Sequence, residues 1–167
     1  MHMGNEPFAV EMIDHQQDVS LPLRWQEALR DAASQAWAMV AEHACEDHHL
    51  LEIDVLEIAF VSRADSDRIH REFMDVAGDT DVITFLHGEL VICPAVAAAQ
   101  AAEHGEPLLR ELLRYVIHGM LHLAGHLDDQ ENRRIVMESI QEQLVAELWN
   151  HKDFGVFAEE NAKFFEK

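Results

Sequence analysis

His118-Gly119-Met120-Leu121-His122-Leu123-Ala124-Gly125-His126-Leu127-Asp128 is the stretch that organises this chain. On an α-helix, residues four apart lie on one side, so His118 and His122 can share a single metal ion. Gly125 supplies a stop, because glycine takes the left-handed C-cap conformation without a Cβ clash. Beyond the stop the chain can double back and bring Asp128 or His126 under the pair. The residues leading in are apolar on nearly every side: Leu109, Leu112, Leu113, Val116, Ile117, Met120, Leu121 and Leu123. A helix of that kind is a buried one. Histidines inside it need partners, since burying an unpaired polar group costs roughly 2 to 7 kcal/mol.

The run resembles the pattern His-Gly-x-Leu-His-Leu-x-Gly-x-x-His of the bacterial YbeY family. Two further segments are similar to that family's strands, Thr80-Asp81-Val82-Ile83-Thr84-Phe85 and Gly88-Glu89-Leu90-Val91-Ile92, and Ile69-His70-Arg71-Glu72-Phe73 resembles its preceding helix end. The likeness spans about residues 56 to 129. It implies a metal-dependent endoribonuclease that hydrolyses single-stranded RNA during rRNA maturation in the cytoplasm, with the ribosomal subunit or assembly proteins as partners and no DNA. It also implies one zinc-like ion on His118, His122 and Asp128. The family's third ligand is a histidine, and a carboxylate at that place still binds zinc at about 2.0 to 2.2 Å. By an ungapped count, the family's arginine near the first of these strands falls on Met74.

Apart from the resemblance, the third ligand stays open between Asp128 and His126. Eight residues of helix rise about 12 Å, which is awkward for three imidazoles on one ion unless Gly125 breaks the helix. Asp128 with Glu131 is also a capping-box pattern for the next helix. The spacing is similar to that of zinc peptidases, but there the residue after the first histidine is the general base, and here it is Gly119. An assembly factor whose ion only staples the fold is the non-enzymatic alternative. A fourth protein ligand, such as His126, would mark it.

The 167 residues suit one domain with a substantial core, residues 1–6 reading as a tag remnant or disordered and 151–167 as a C-terminal tail. No apolar run reaches membrane-spanning length, and the N-terminus lacks a secretory pattern. Cys45 and Cys93 make no disulfide framework, in keeping with a reducing cytoplasm. His43, Cys45, His48 and His49 read as a solvated loop and not as a second metal site. Against a nucleic-acid substrate stands a formal net charge of −20, from 32 acidic and 12 basic residues. Arg110 and Arg114 are candidates for a local basic cluster.

Alternation and helical spacing predict strands over 8–13, 56–62, 82–86 and 89–92. The last two are joined tightly enough at His87-Gly88 to be antiparallel. Helices are predicted over 21–43, with Ser20 as its N-cap, and over 63–73, with Ile69 and Phe73 inward. Pro94 opens a third helix that Gly105 closes, Pro107 opens the histidine helix, and the last spans 130–149 with Val136, Ile140, Leu144 and Leu148 as its apolar stripe. Phe154, Phe157, Phe164 and Phe165 mark the tail. The expected fold class is α+β: a small mixed four-stranded sheet with one antiparallel edge pair, covered by about five helices, the site at the end of the buried central helix.

Overall fold

A computed structural model describes residues 7–74 and 82–150, the side chain of Met74 excepted. Met1-His2-Met3-Gly4, Thr80, Asp81 and the tail phenylalanines lie outside the described residues. Strands β1 (Ala9–Asp14), β2 (Val55–Phe60), β3 (Val82–Phe85) and β4 (Glu89–Ile92) form one sheet in the order β1-β2-β4-β3. The β1/β2 and β2/β4 pairs are parallel, and the edge pair β3/β4 is antiparallel. This is the α+β arrangement expected. The β3–β4 connection is a three-residue turn in which Gly88 takes φ 110°, a conformation that favours glycine.

Helix α2 (Arg63–Met74) covers one sheet face, where Ile69 packs on Val61, Ile83 and Val91. The other face carries Leu56, Ile58, Phe60, Leu90 and Ile92, all but solvent-free. On it lie α1 (Leu23–Ala41), α3 (Pro94–His104), α4 (Leu108–Leu123) and α5 (Glu131–Trp149). Among these α4 is central, in contact with α1, α3, α5, β3 and β4. That is why it is apolar on nearly every side. Leu109, Leu113, Val116, Ile117, Met120 and Leu121 are fully buried, and such burial contributes about 1.5–3 kcal/mol per side chain.

Several local expectations need correction. Helix α1 starts at Leu23, with Pro22 and not Ser20 at the N-cap and no capping side chain. Phe73 is 62% exposed and meets Phe85 edge-on at 5.3 Å between ring centroids. The second strand runs Val55–Phe60 and not to 62, and a 3-10 turn at Leu50–Glu52 precedes it. Helix α5 buries Met137, Gln141, Leu144, Val145 and Leu148. Val136 is 54% exposed. The stripe is therefore one residue out of phase with the expected one, because Leu144 and Leu148 belong to either register. Gln130 occupies the α5 N-cap and no side chain caps it, so Asp128 has no capping role there.

Gly119 sits where α4 crosses β4. A β-carbon there would come within 2.6 Å of Leu90 Cδ2. The position that carries a peptidase's glutamate thus faces the sheet, and no glutamate side chain fits there. Gly119→Val should lose about 2 to 3 kcal/mol of stability in urea unfolding, as expected for overpacking a dense interior.

Candidate metal centre at the end of helix α4

Helix α4 ends in a Schellman turn. The Gly125 N–H donates to the His122 carbonyl at 3.0 Å and the His126 N–H to the Leu121 carbonyl at 2.9 Å, with Gly125 at φ 95°. Two carbonyls beyond these are taken by the loop after α1. Cys45 N–H donates to Ala124 O at 2.8 Å, and His49 N–H to Leu123 O at 2.9 Å. The polar stretch from His43 to His49 thus caps α4. His48 accepts a local bond from the Leu50 N–H through Nδ1. Neither Cys45 nor Cys93 is in a disulfide.

The turn carries the chain back under the histidines. His118 Nε2 and His122 Nε2 lie 3.1 Å apart, and Asp128 Oδ2 lies 3.6 Å from the first and 3.5 Å from the second. Four-coordinate zinc with bonds of about 2.0–2.1 Å has ligand atoms roughly 3.3–3.4 Å apart. The spacing of the three atoms fits that geometry, and the group could hold a metal ion. His126 goes elsewhere: its Nε2–H donates to the His43 carbonyl at 2.7 Å.

The other ring nitrogens are also engaged. His122 Nδ1 donates to the His126 carbonyl at 3.0 Å, which leaves its Nε2 unprotonated in the neutral ring. Burial and the neighbouring His118 push the His122 pKa below its ordinary value, against the opposing pull of the His126 carbonyl and Asp128. The neutral ring a metal requires is therefore favoured. His118 Nδ1 lies 2.8 Å from Gln141 Oε1, a partner that sequence reading missed. The mis-phased α5 stripe concealed it; a lone glutamine in a correctly phased apolar series would have been visible.

Asp128 is exposed and the two histidines half-buried, so the group opens to solvent. Beside it, reaching His122 and His126, is a cleft of about 700 Å³. Its walls include the exposed apolar Leu86, Leu127 and Val136, and among the described residues Arg133 is the one Lys or Arg that lines it. Arg110 and Arg114 form no basic cluster. Arg114 bridges Glu106, Glu111 and Glu142 at 2.7–2.8 Å, and Arg110 bridges Glu106 at 3.2 Å.

Fold and site together define a small α+β protein with a two-histidine, one-carboxylate group at a helix end. Comparison with known proteins is more specific. The sequence model of the family described as Endoribonuclease YbeY matches residues 12–149. Relatives named Endoribonuclease YbeY include those of Chromohalobacter salexigens, 35% identical over 67% of this chain and 78% of the relative, and Micrococcus luteus, 33% identical over 65% and 80%. That of Thermotoga neapolitana is 37% identical over 56% and 66%. The solution structure of TM1509 from Thermotoga maritima shares the fold, with a TM-score of 0.60 and 22% identity over 92% of this chain and 95% of that one. The chain belongs to the YbeY family.

Gly125→Ala tests how the site is built. A β-carbon there would collide with the Asp47 carbonyl, and the positive φ adds strain. The variant should lose at least about 2 kcal/mol by chemical denaturation, within the range for a strained backbone position. It should also bind metal less well than Gly105→Ala, whose β-carbon would meet nothing within 4 Å.

Proposed function

We propose that this chain is a metal-dependent endoribonuclease acting on single-stranded RNA, with His118, His122 and Asp128 holding one zinc-like divalent ion. The observation that carries it is the triangle of ligand atoms at 3.1, 3.5 and 3.6 Å. Family membership supports the RNA substrate, and the family resemblance supports a role in rRNA maturation, with ribosomal or assembly proteins as partners in the cytoplasm. No helix among the described residues is long and apolar enough to cross a membrane. The whole chain, 1–167, is taken as one domain.

When bound, the ion supplies Lewis acidity towards a phosphodiester and lowers the pKa of water towards neutrality. The chain's own residues do the rest. His118 and His122 present neutral Nε2 atoms from a rigid, fully packed helix, and Asp128 removes one unit of the ion's charge. The cleft beside them takes the substrate. Its apolar Leu86, Leu127 and Val136 can cover base faces, which a single strand exposes and a duplex does not. Among the described residues Arg133 is paired only with Asp129, at 3.2 Å, and both are exposed. An exposed pair of that kind is worth about 0–1 kcal/mol, so the guanidinium is available to phosphate at small cost. The stapled-fold alternative needs a fourth protein ligand, and His126 is held at the His43 carbonyl instead.

The test is metal content together with cleavage of a single-stranded RNA by wild type, His118→Ala, Asp128→Ala and Arg133→Ala. Loss of a ligand should lower metal affinity and cleavage by about 100-fold or more, beyond the 10–100-fold typical of outer-shell partners. Arg133→Ala should keep the metal and raise KM several-fold. Equal cleavage by all four proteins would end the nuclease reading. Asp128→Ala with full metal content, while His126→Ala loses it, would reassign the third ligand.

A further inference from the structure

Gln141 is 7% exposed and is a polar residue on the buried stripe of α5. A buried amide without partners is costly, and here both ends are engaged. Its Oε1 lies 2.8 Å from His118 Nδ1, and its Nε2 lies 3.1 Å from Glu142 Oε2.

The chemistry of the neighbours decides which end of the amide points which way. Arg114 grips the Glu142 carboxylate through two bonds, Nε to Oε2 at 2.8 Å and Nη2 to Oε1 at 2.9 Å. Burial works to raise the Glu142 pKa, but the bonds from Arg114 and Gln141 outweigh it and hold the carboxyl below its ordinary value. An ionised carboxylate accepts and cannot donate, so it must face the amide NH2. The amide oxygen is thereby turned to His118, and since it only accepts, His118 Nδ1 must carry the ring proton. Arg114 is itself fixed from behind by Glu106 at 2.7 Å and the buried Glu111 at 2.8 Å.

We propose that Gln141 is a positioning residue for the metal centre, holding His118 in the Nδ1-protonated form through a chain of contacts from Arg114 and Glu142. The proposal rests on the metal reading above only for its purpose; the tautomer itself is a property of the metal-free protein. The His126 carbonyl imposes the same tautomer on His122 from the opposite side. Both Nε2 atoms then carry bare lone pairs, 3.1 Å apart with no proton of their own to share. A cation relieves that opposition. Without Gln141 the His118 proton is free to move to Nε2, the form a free imidazole favours, and an N–H would stand where a ligand atom is needed.

The experiment is a long-range nitrogen–proton NMR correlation on metal-free, nitrogen-labelled protein, paired with Zn2+ titration against a chromophoric chelator. Wild type, Gln141→Leu, Gln141→Glu and Glu142→Gln are compared, with thermal unfolding confirming that each is folded. Wild-type His118 should show the Nδ1–H form. Gln141→Leu should shift it towards Nε2–H and weaken Zn2+ binding by about 10–100-fold, the range for lost outer-shell partners. Gln141→Glu should restore affinity to within a few-fold, because a carboxylate accepts the same proton. Should Gln141→Leu not fold, Glu142→Gln decides: it leaves Gln141 in place but frees the amide to turn, and a mixture of His118 tautomers is expected. An unchanged tautomer together with unchanged affinity in the folded variants overturns the proposal. Wild type that binds no Zn2+ overturns the metal reading instead, and leaves the tautomer comparison to decide the role of Gln141.

Discussion

A helix that runs through the middle of a protein has to stop there, and its last carbonyls must still find donors. That requirement at the end of α4 shapes the rest of the molecule. Gly125 and His126 satisfy two carbonyls by turning the chain back on itself, and Cys45 and His49 satisfy two more by bringing in the loop after α1. The loop is pinned again by the His126 ring on the His43 carbonyl. Closing the helix in this way is what delivers Asp128 to the histidines. The same turn supplies the carbonyl that orients His122, so termination of the helix and preparation of the site are one event.

The histidine pair follows a different logic. Most of α4 is packed through apolar side chains, yet at its end two imidazole nitrogens and a carboxylate oxygen face one another within 4.8 Å. Their outer atoms are tied down from two sides, His122 to backbone and His118 to an amide. Such fixed rings lose little entropy when an ion arrives, and the desolvation of His122 is already met in the folded state. The half-buried setting also strengthens each charge interaction relative to bulk water.

Most of this could be read from the residues. The apolar residues on nearly every side of 108–123 announced a central helix, the His-His spacing and Gly125 announced the site, and Pro94, Gly105 and Pro107 marked the neighbouring helices. The order of partners was less accessible. His126 continues the four-residue series on paper and only the turn shows that its ring points to His43. Phe73 looked like core because it is large and apolar, but it ends a helix whose inward contact is Ile69. Leu144 and Leu148 fit two registers of α5, and the wrong one exposed Gln141 and buried Val136. Arg110 and Arg114 looked available to phosphate because sequence does not show that Glu142, 28 residues further on, reaches Arg114. Each miss concerns which face of an element meets which neighbour, which depends on tertiary packing.

The acidic composition bears on RNA through distance. At physiological salt, exposed charges are screened beyond roughly 8 Å, so most of the formal −20 acts weakly on a phosphate at the site. The local balance matters more. Glu46 and Asp47 line the cleft, and Asp129 engages Arg133. Against them, among the described residues, stands Arg133, and on the proposed reading an ion whose charge Asp128 would reduce by one unit. Phosphate is then held by very few positive charges, and the salt dependence of RNA affinity, which scales with the number of counterions displaced, should be shallow. With so few positive charges beside it, the apolar wall of Leu86, Leu127 and Val136 would, on the proposed reading, contribute contact area to a strand whose bases are unpaired.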